Sequence, residues 1–188
     1  MFVNFDPIKN RKIRIAIVGC GRIFKKHLEA ISCNSSKAEL IAICDENLNS
    51  INNATKLINE VSIRKEVFSC DPKKFNSYKE LLNYCSENKN FIDLIVLATP
   101  SGLHPNQVIS AAKNGLNIMT EKPMATRWQD GLSMVKTCDD HGVRLYVVKQ
   151  NRFNKTLQLL KKQILKGRFG KIALVTVNVF WQRPESYY

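Results

Sequence analysis

Five short apolar runs and one weaker candidate strand, each set off from the next by a stretch of helical spacing or polar sequence, limit what this chain can fold into. Residues 13–18 (IRIAIV) are almost continuously apolar and stop at Gly19, the pattern of a strand buried on both faces. A helix is expected over 22–33, a second strand over 40–44, and a helix over 48–59. The polar stretch 60–74 reads as a loop around a weak third strand. Residues 78–86 are helical, 92–98 (IDLIVLA) form a fourth buried strand, and 104–114 form a helix closed by Gly115. Asn117–Thr120 is a fifth strand, 126–141 a helix and 143–148 a sixth strand. Strands that alternate with helices across short connections pack as an α/β fold, here a doubly wound parallel sheet over residues 1–150.

The pattern changes after Gln150. Residues 156–166 have amphipathic helical spacing, with Leu157, Leu160 and Ile164 on one side and Gly167 as the stop. Residues 172–181 then alternate strictly: Ala173, Val175, Val177, Val179 and Trp181 fall on one face, as in a strand of an antiparallel sheet. Residues 151–188 are therefore expected to begin a second, α+β domain with a mainly antiparallel, open-faced sheet. A lone strand cannot bury its face, so that domain is expected to be truncated or completed by a partner.

Charge narrows the partners only partly. The net charge is +13, with 21 basic against 15 acidic side chains in residues 1–150 and 8 against 1 in residues 151–188. Such an excess suits nucleic acid, an anionic membrane or an acidic small molecule. The C-terminal lysines lie on the polar face of the 156–166 helix without the interleaved aromatics of a nucleic-acid surface, which favours a solvated face and no nucleic acid. No run reaches the roughly 20 apolar residues of a membrane span, and the opening MFVNFDPIKNRK lacks the apolar core of a signal peptide. The six cysteines contain no C-x-x-C pair, which points to free thiols in a cytoplasmic setting and to no metal centre.

The chemistry sits where strands end. In GCGRIFKKH (19–27), two glycines between a buried strand and a helix let the backbone turn sharply and approach a pyrophosphate at the helix N-terminus. Phe24 occupies the usual place of the third small residue, so the helix is expected to pack less closely on the strand. Asp45, 24 residues after Gly21, ends the second strand where an acid would accept hydrogen bonds from an adenosine ribose; this favours NAD over NADP, and Glu46 is its neighbour. A plain strand-end cap is the alternative reading of Asp45. The fourth strand runs into TPSGLH (99–104), placing Thr99 and Pro100 on the nicotinamide side of a dinucleotide cleft; His104 reads equally as a helix-terminal residue or a ligand contact. The fifth strand ends in Glu121, Lys122 and Pro123. A Lys at that edge, fixed by a Pro whose peptide bond is open to the cis form, can orient a hydroxyl or share its proton; a solvated surface Lys is the alternative.

In their order, GCGRIFKKH, ATPSGLHP, TEKPMATRWQDG and KQNRFN resemble the glucose–fructose oxidoreductase and inositol dehydrogenase family, which joins a Rossmann domain to an open-faced antiparallel sheet. Within it, these segments and VNVFWQRPESYY look most like the bacterial NAD-dependent UDP-2-acetamido-2-deoxy-D-glucuronate 3-dehydrogenases of O-antigen and surface-polysaccharide synthesis. The resemblance implies that Gly19, Gly21, Arg22 and Ile23 hold the pyrophosphate, Asp45 the ribose, and Thr99, Pro100, His104 and Glu121 the rest of the cofactor. It implies a catalytic Lys122 and a substrate entrance at Lys122, Asn151 and Arg152. It further implies oxidation of a ring hydroxyl of a UDP-linked N-acetylated uronic acid, a second catalytic His beyond this chain, and a homo-oligomer, tetramer or dimer. Neither His27 nor His141 matches that second His. Arg152 and Arg183 are the basic groups expected to draw in an anionic sugar nucleotide. Another sugar or inositol dehydrogenase, or a non-catalytic NAD-binding module, are the alternative readings.

Overall fold

The computed structural model describes residues 8–65, 71–182 and 184–185; Cys70 and Arg183 lie outside them. The chain divides into two compact units, Met1–Val148 and Lys149–Tyr188.

The first unit is a six-stranded sheet, all parallel, in the order β3-β2-β1-β4-β5-β6. Its strands are β1 (Ile13–Val18), β2 (Ala38–Cys44), β3 (Lys73–Phe75), β4 (Leu94–Leu97), β5 (Asn117–Thr120) and β6 (Leu145–Val147). The helices are α1 (Phe24–Cys33), α2 (Leu48–Lys65), α3 (Tyr78–Glu87), α4 (His104–Lys113) and α5 (Trp128–Asp140). Alternation along each strand feeds two cores. Ile15 and Ile17 of β1 and Val96 of β4 join Phe24 and Leu28 of α1 and Ile51 and Ile58 of α2 on one face. Ala16, Val18, Ile95 and Leu97 join Leu81, Val108 and Met134 of α3, α4 and α5 on the other. Phe24 is fully buried there, so the ring that replaces the third small residue is a core anchor; burying such a side chain stabilises by roughly 1.5–3 kcal/mol.

Two details depart from the sequence pattern. The register of β1 on β2 jumps between Ile15, which faces Leu40, and Ala16, which faces Ala42. The extra residue, Ile41, is a bulge that keeps Leu40 and Ile43 on one face despite their odd spacing. Helix α2 continues to Lys65, past the expected end at 59, because Ile51, Ala54, Ile58 and Val61 extend one buried stripe.

At the amino edge of the sheet Asp93 ties β4 to the entry of β1. Its carboxylate accepts from the Arg11 guanidinium at 2.5 and 2.8 Å and from the Arg14 backbone N–H at 2.8 Å. Burial would raise this carboxyl, but the hydrogen bonds from Arg11 and Arg14 outweigh it and hold it below its ordinary value. A carboxyl depressed in the folded state contributes stability that is present above about pH 4 and lost as the pH falls through the lower, folded value. Asp93→Asn is accordingly expected to lower the urea midpoint at neutral pH and to flatten its fall in acid; a variant whose acid slope matches the parent would remove this role.

The second unit holds a 3-10 turn, Gln150–Phe153, and α6 (Lys155–Leu165), whose N-cap Asn154 accepts the Thr156 N–H at 3.0 Å. Gly167 follows with φ +68°, as expected of a helix stop. The alternating segment 172–181 is not a strand. A strand exists only through its hydrogen-bonded neighbours, and among the described residues none lies beside this one.

Candidate cofactor cleft

Strand order reverses between β1 and β4, and the cleft of an open α/β sheet lies beyond the carboxyl ends of the strands at that point. There the structure has a cavity of about 300 Å³ lined by Gly19, Gly21, Asp45, Glu46, Thr99 and Pro100, together with Tyr78, Leu103 and Gln107.

The turn after β1 fixes its own residue types. Gly19 has φ +96°, and a Cβ built on it would stand 2.6 Å from the Ala98 carbonyl oxygen. Its N–H donates to the Cys44 carbonyl at 2.8 Å while the Ala98 N–H donates to the Val18 carbonyl at 2.7 Å, so neither wall can retreat. Gly21 has nothing within 4 Å of an added Cβ; its bare backbone faces the open cavity. Helix α1 then begins at Phe24 with Ile23 as N-cap, without a side-chain cap and without an acidic residue in its first turn. This helix end is electrostatically suited to an anion. Arg22 and Ile23, expected as pyrophosphate contacts, directly precede Phe24 at this helix end and are not among the residues that line the cavity.

Asp45 lies at the end of β2, in the cavity wall. Its Oδ2 accepts the Cys20 N–H at 2.7 Å and its Oδ1 the Asn47 N–H at 2.8 Å. Each carboxylate oxygen has a further lone pair, so the scaffold bonds fix the group without exhausting it. Burial pushes the neighbouring thiols of Cys20 and Cys44 up to about 12, which disfavours their thiolate forms.

Opposite, Thr99 and Pro100 form the cavity wall after β4. The Thr99 hydroxyl donates to Gln107 Oε1 at 2.5 Å, and the Tyr78 hydroxyl donates to the Gln107 carbonyl at 2.6 Å. Tyr78, Leu103 and Gln107 went unnoticed in the sequence. Their signal was positional, the first turns of the helices that follow β3 and β4, and no motif marked it. His104, open between a helix-terminal residue and a ligand contact, is the first residue of α4; its ring is fully buried and is not among the residues that line the cavity. Nδ1 lies 3.1 Å from the Pro123 carbonyl oxygen and Nε2 3.0 Å from that of Thr99.

The Glu121–Lys122–Pro123 turn follows β5, and its Lys122–Pro123 bond is cis. Lys122 is exposed. The Glu121 carboxylate is engaged within the protein: Oε1 lies 3.0 Å from His27 Nε2, and Oε2 accepts the Lys122 N–H at 3.1 Å. Asn151 and Arg152 belong to the other unit, in its 3-10 turn.

Residues 13–149 match the model of an oxidoreductase family described by an NAD-binding Rossmann fold. Among solved structures, the WlbA dehydrogenase from Bordetella pertussis in complex with NADH and UDP-GlcNAcA is 50% identical, with a TM-score of 0.80, over 95% of this chain and 49% of that one. The WlbA dehydrogenase from Chromobacterium violaceum, also in complex with NADH and UDP-GlcNAcA, is 45% identical, with a TM-score of 0.82, over 99% of this chain and 49% of that one. A curated relative, the 2,7-anhydro-N-acetylneuraminate hydratase of Mediterraneibacter gnavus, is 38% identical over 81 residues, 43% of this chain and 22% of the relative. The chain thus spans about half the length of these solved structures and less than a quarter of the hydratase's.

Proposed function

The chain belongs to the oxidoreductase family that carries an NAD-binding Rossmann fold, and we propose that it provides the cofactor site and one catalytic residue of a sugar-nucleotide dehydrogenase. The reaction is oxidation of the 3-hydroxyl of UDP-2-acetamido-2-deoxy-glucuronate to the ketone, a step toward a surface polysaccharide such as an O-antigen. The observation that carries this reading is 50% and 45% identity over nearly the whole chain to two dehydrogenases crystallised with NADH and UDP-GlcNAcA. Buried thiols at Cys20, Cys44, Cys85 and Cys138 fit a reducing, cytoplasmic setting.

The cleft residues fit a dinucleotide. The bare backbone at Gly21 and the uncapped start of α1 suit a pyrophosphate, and Asp45 suits a ribose diol while opposing a 2′-phosphate with like charge. NAD, when bound, supplies the hydride acceptor. Thr99 and Pro100 shape the wall beside it. Lys122, at the carboxyl edge of the sheet, holds the oxygen of the reacting hydroxyl by a hydrogen bond from its ammonium group.

Two measurements check the reading. Calorimetry on the 188-residue chain is expected to give tighter binding of NAD than of NADP, and Asp45→Ser is expected to narrow that gap by about tenfold or more; a native preference for NADP removes the role of Asp45. The complete enzyme is expected to form NADH with UDP-2-acetamido-2-deoxy-glucuronate and not with myo-inositol, and the reverse preference would overturn the substrate.

A further inference from the structure

The turn that carries Lys122 is gripped on both flanks by histidines from the two helices that open the cleft. On one side, His27 of α1 and Glu121 are each 13% exposed, and their contact closes a short chain. Ionised Glu121 can only accept, so its Oε1 takes the His27 Nε2–H, while its Oε2 takes the Lys122 backbone N–H. Burial lowers the basicity of His27 more than Glu121 raises it, consistent with a neutral ring in this role. On the other side, the buried His104 ring lies between the Pro123 carbonyl, directly after Lys122, and the Thr99 carbonyl in the cleft wall, and a neutral ring donates its one N–H to either of these two acceptors.

These are expensive choices if only packing were at stake. Burying an imidazole forfeits hydration that an apolar side chain of similar volume would never have had. Each ring places one nitrogen on this turn, at Glu121 and at Pro123, and these two residues bracket the Lys between them. The side chain of Lys122 is long and exposed, so where its ammonium group reaches depends on how firmly the backbone beneath it is held.

We infer that His27 and His104 are positioning residues: through the Glu121 carboxylate and the Pro123 carbonyl they lock the backbone of Lys122, and they tie it to α1 behind the pyrophosphate turn and to the Thr99 wall. This rests on the proposed catalytic role of Lys122 for its consequence, although the clamp itself can be tested without turnover.

The experiment measures residue-resolved amide hydrogen exchange in the 188-residue chain for the parent, His27→Leu, His27→Gln and His104→Gln, with NAD calorimetry on each. In His27→Leu the Lys122 amide is expected to exchange about tenfold faster, while amides in β1 and β4 keep their rates and the NAD Kd stays within about threefold. His27→Gln retains an N–H donor and is expected to recover most of the protection; His104→Gln should loosen the turn by a similar factor. Should His27→Leu fail to fold, Glu121→Gln asks the same question of the Lys122 amide with little change in volume. In the complete enzyme, His27→Leu should lower kcat at least tenfold with KM for NAD unchanged, and His27→Gln should restore it. An unchanged Lys122 amide in folded variants, or acceleration spread evenly over the sheet, overturns the clamp. Normal turnover by Lys122→Met would overturn the catalytic reading and leave the exchange result standing, so the two failures are distinguishable.

Discussion

Gly19→Ala is expected to cost about 3 kcal/mol or more of folding stability, whereas Gly21→Ala, two residues on, should leave the fold intact and weaken NAD binding. The contrast follows from what a methyl group would meet. At Gly19 it meets the Ala98 carbonyl oxygen at 2.6 Å and carbon at 2.7 Å, on a backbone with φ +96° that L-residues avoid. Relief would require β1 and β4 to part, and they are bonded along their length from Ile15 against Leu94 to Val18 against Leu97. At Gly21 the methyl meets nothing within 4 Å, and Gly21 lines the cavity proposed for the pyrophosphate. Urea midpoints and NAD calorimetry on the two variants separate the effects. Gly21→Ala should keep its midpoint and lose about tenfold or more in affinity. An unchanged midpoint for Gly19→Ala would mean that the turn relaxes in a way the sheet does not allow.

The sheet was legible because parallel strands buried on both faces must be apolar almost throughout, and runs such as 13–18 and 92–98 announce themselves. Gly19, Gly21 and Asp45 were legible for a related reason: each answers a demand of the local backbone, a turn or a strand end, that shows within a few residues. What escaped the sequence depends on partners far away in the chain. The bulge at Ile41 is a property of the register between two strands. His27 and Glu121 stand 94 residues apart, and nothing near either one signals that they meet. The motif leaves His104 open between a helix-terminal residue and a ligand contact, since the two look alike until both ring nitrogens are accounted for. The end of α2 was misjudged because charged neighbours masked a stripe that Val61 continues. Residues 172–181 have the composition of a strand but, among the described residues, no strand to pair with; alternation prescribes a face, and only a ladder makes it a strand.

Lys122→Met in the complete enzyme is expected to lower kcat by about 10²–10⁴ while leaving NAD affinity within about twofold. Methionine keeps much of the length and apolar stem of the side chain and removes only the charge and the donors, so the turn beneath it should stay as it is. Its fixed points are backbone groups and neighbours: the Glu121 N–H donates to the Leu97 carbonyl at 3.0 Å, and the Glu121 carboxylate and Pro123 carbonyl are engaged by His27 and His104. None of these requires the ammonium group. The loss should therefore appear in kcat for the sugar nucleotide, with a smaller rise in KM from the one hydrogen bond given up in the ground state. Lys122→Arg provides the complementary case. It preserves the charge on a wider, planar head that cannot place a single donor at the same point, and it should remain at least tenfold below the parent. If Lys122→Met turns over at the parental rate, the exposed lysine is a solvated surface group and another residue must hold the reacting hydroxyl.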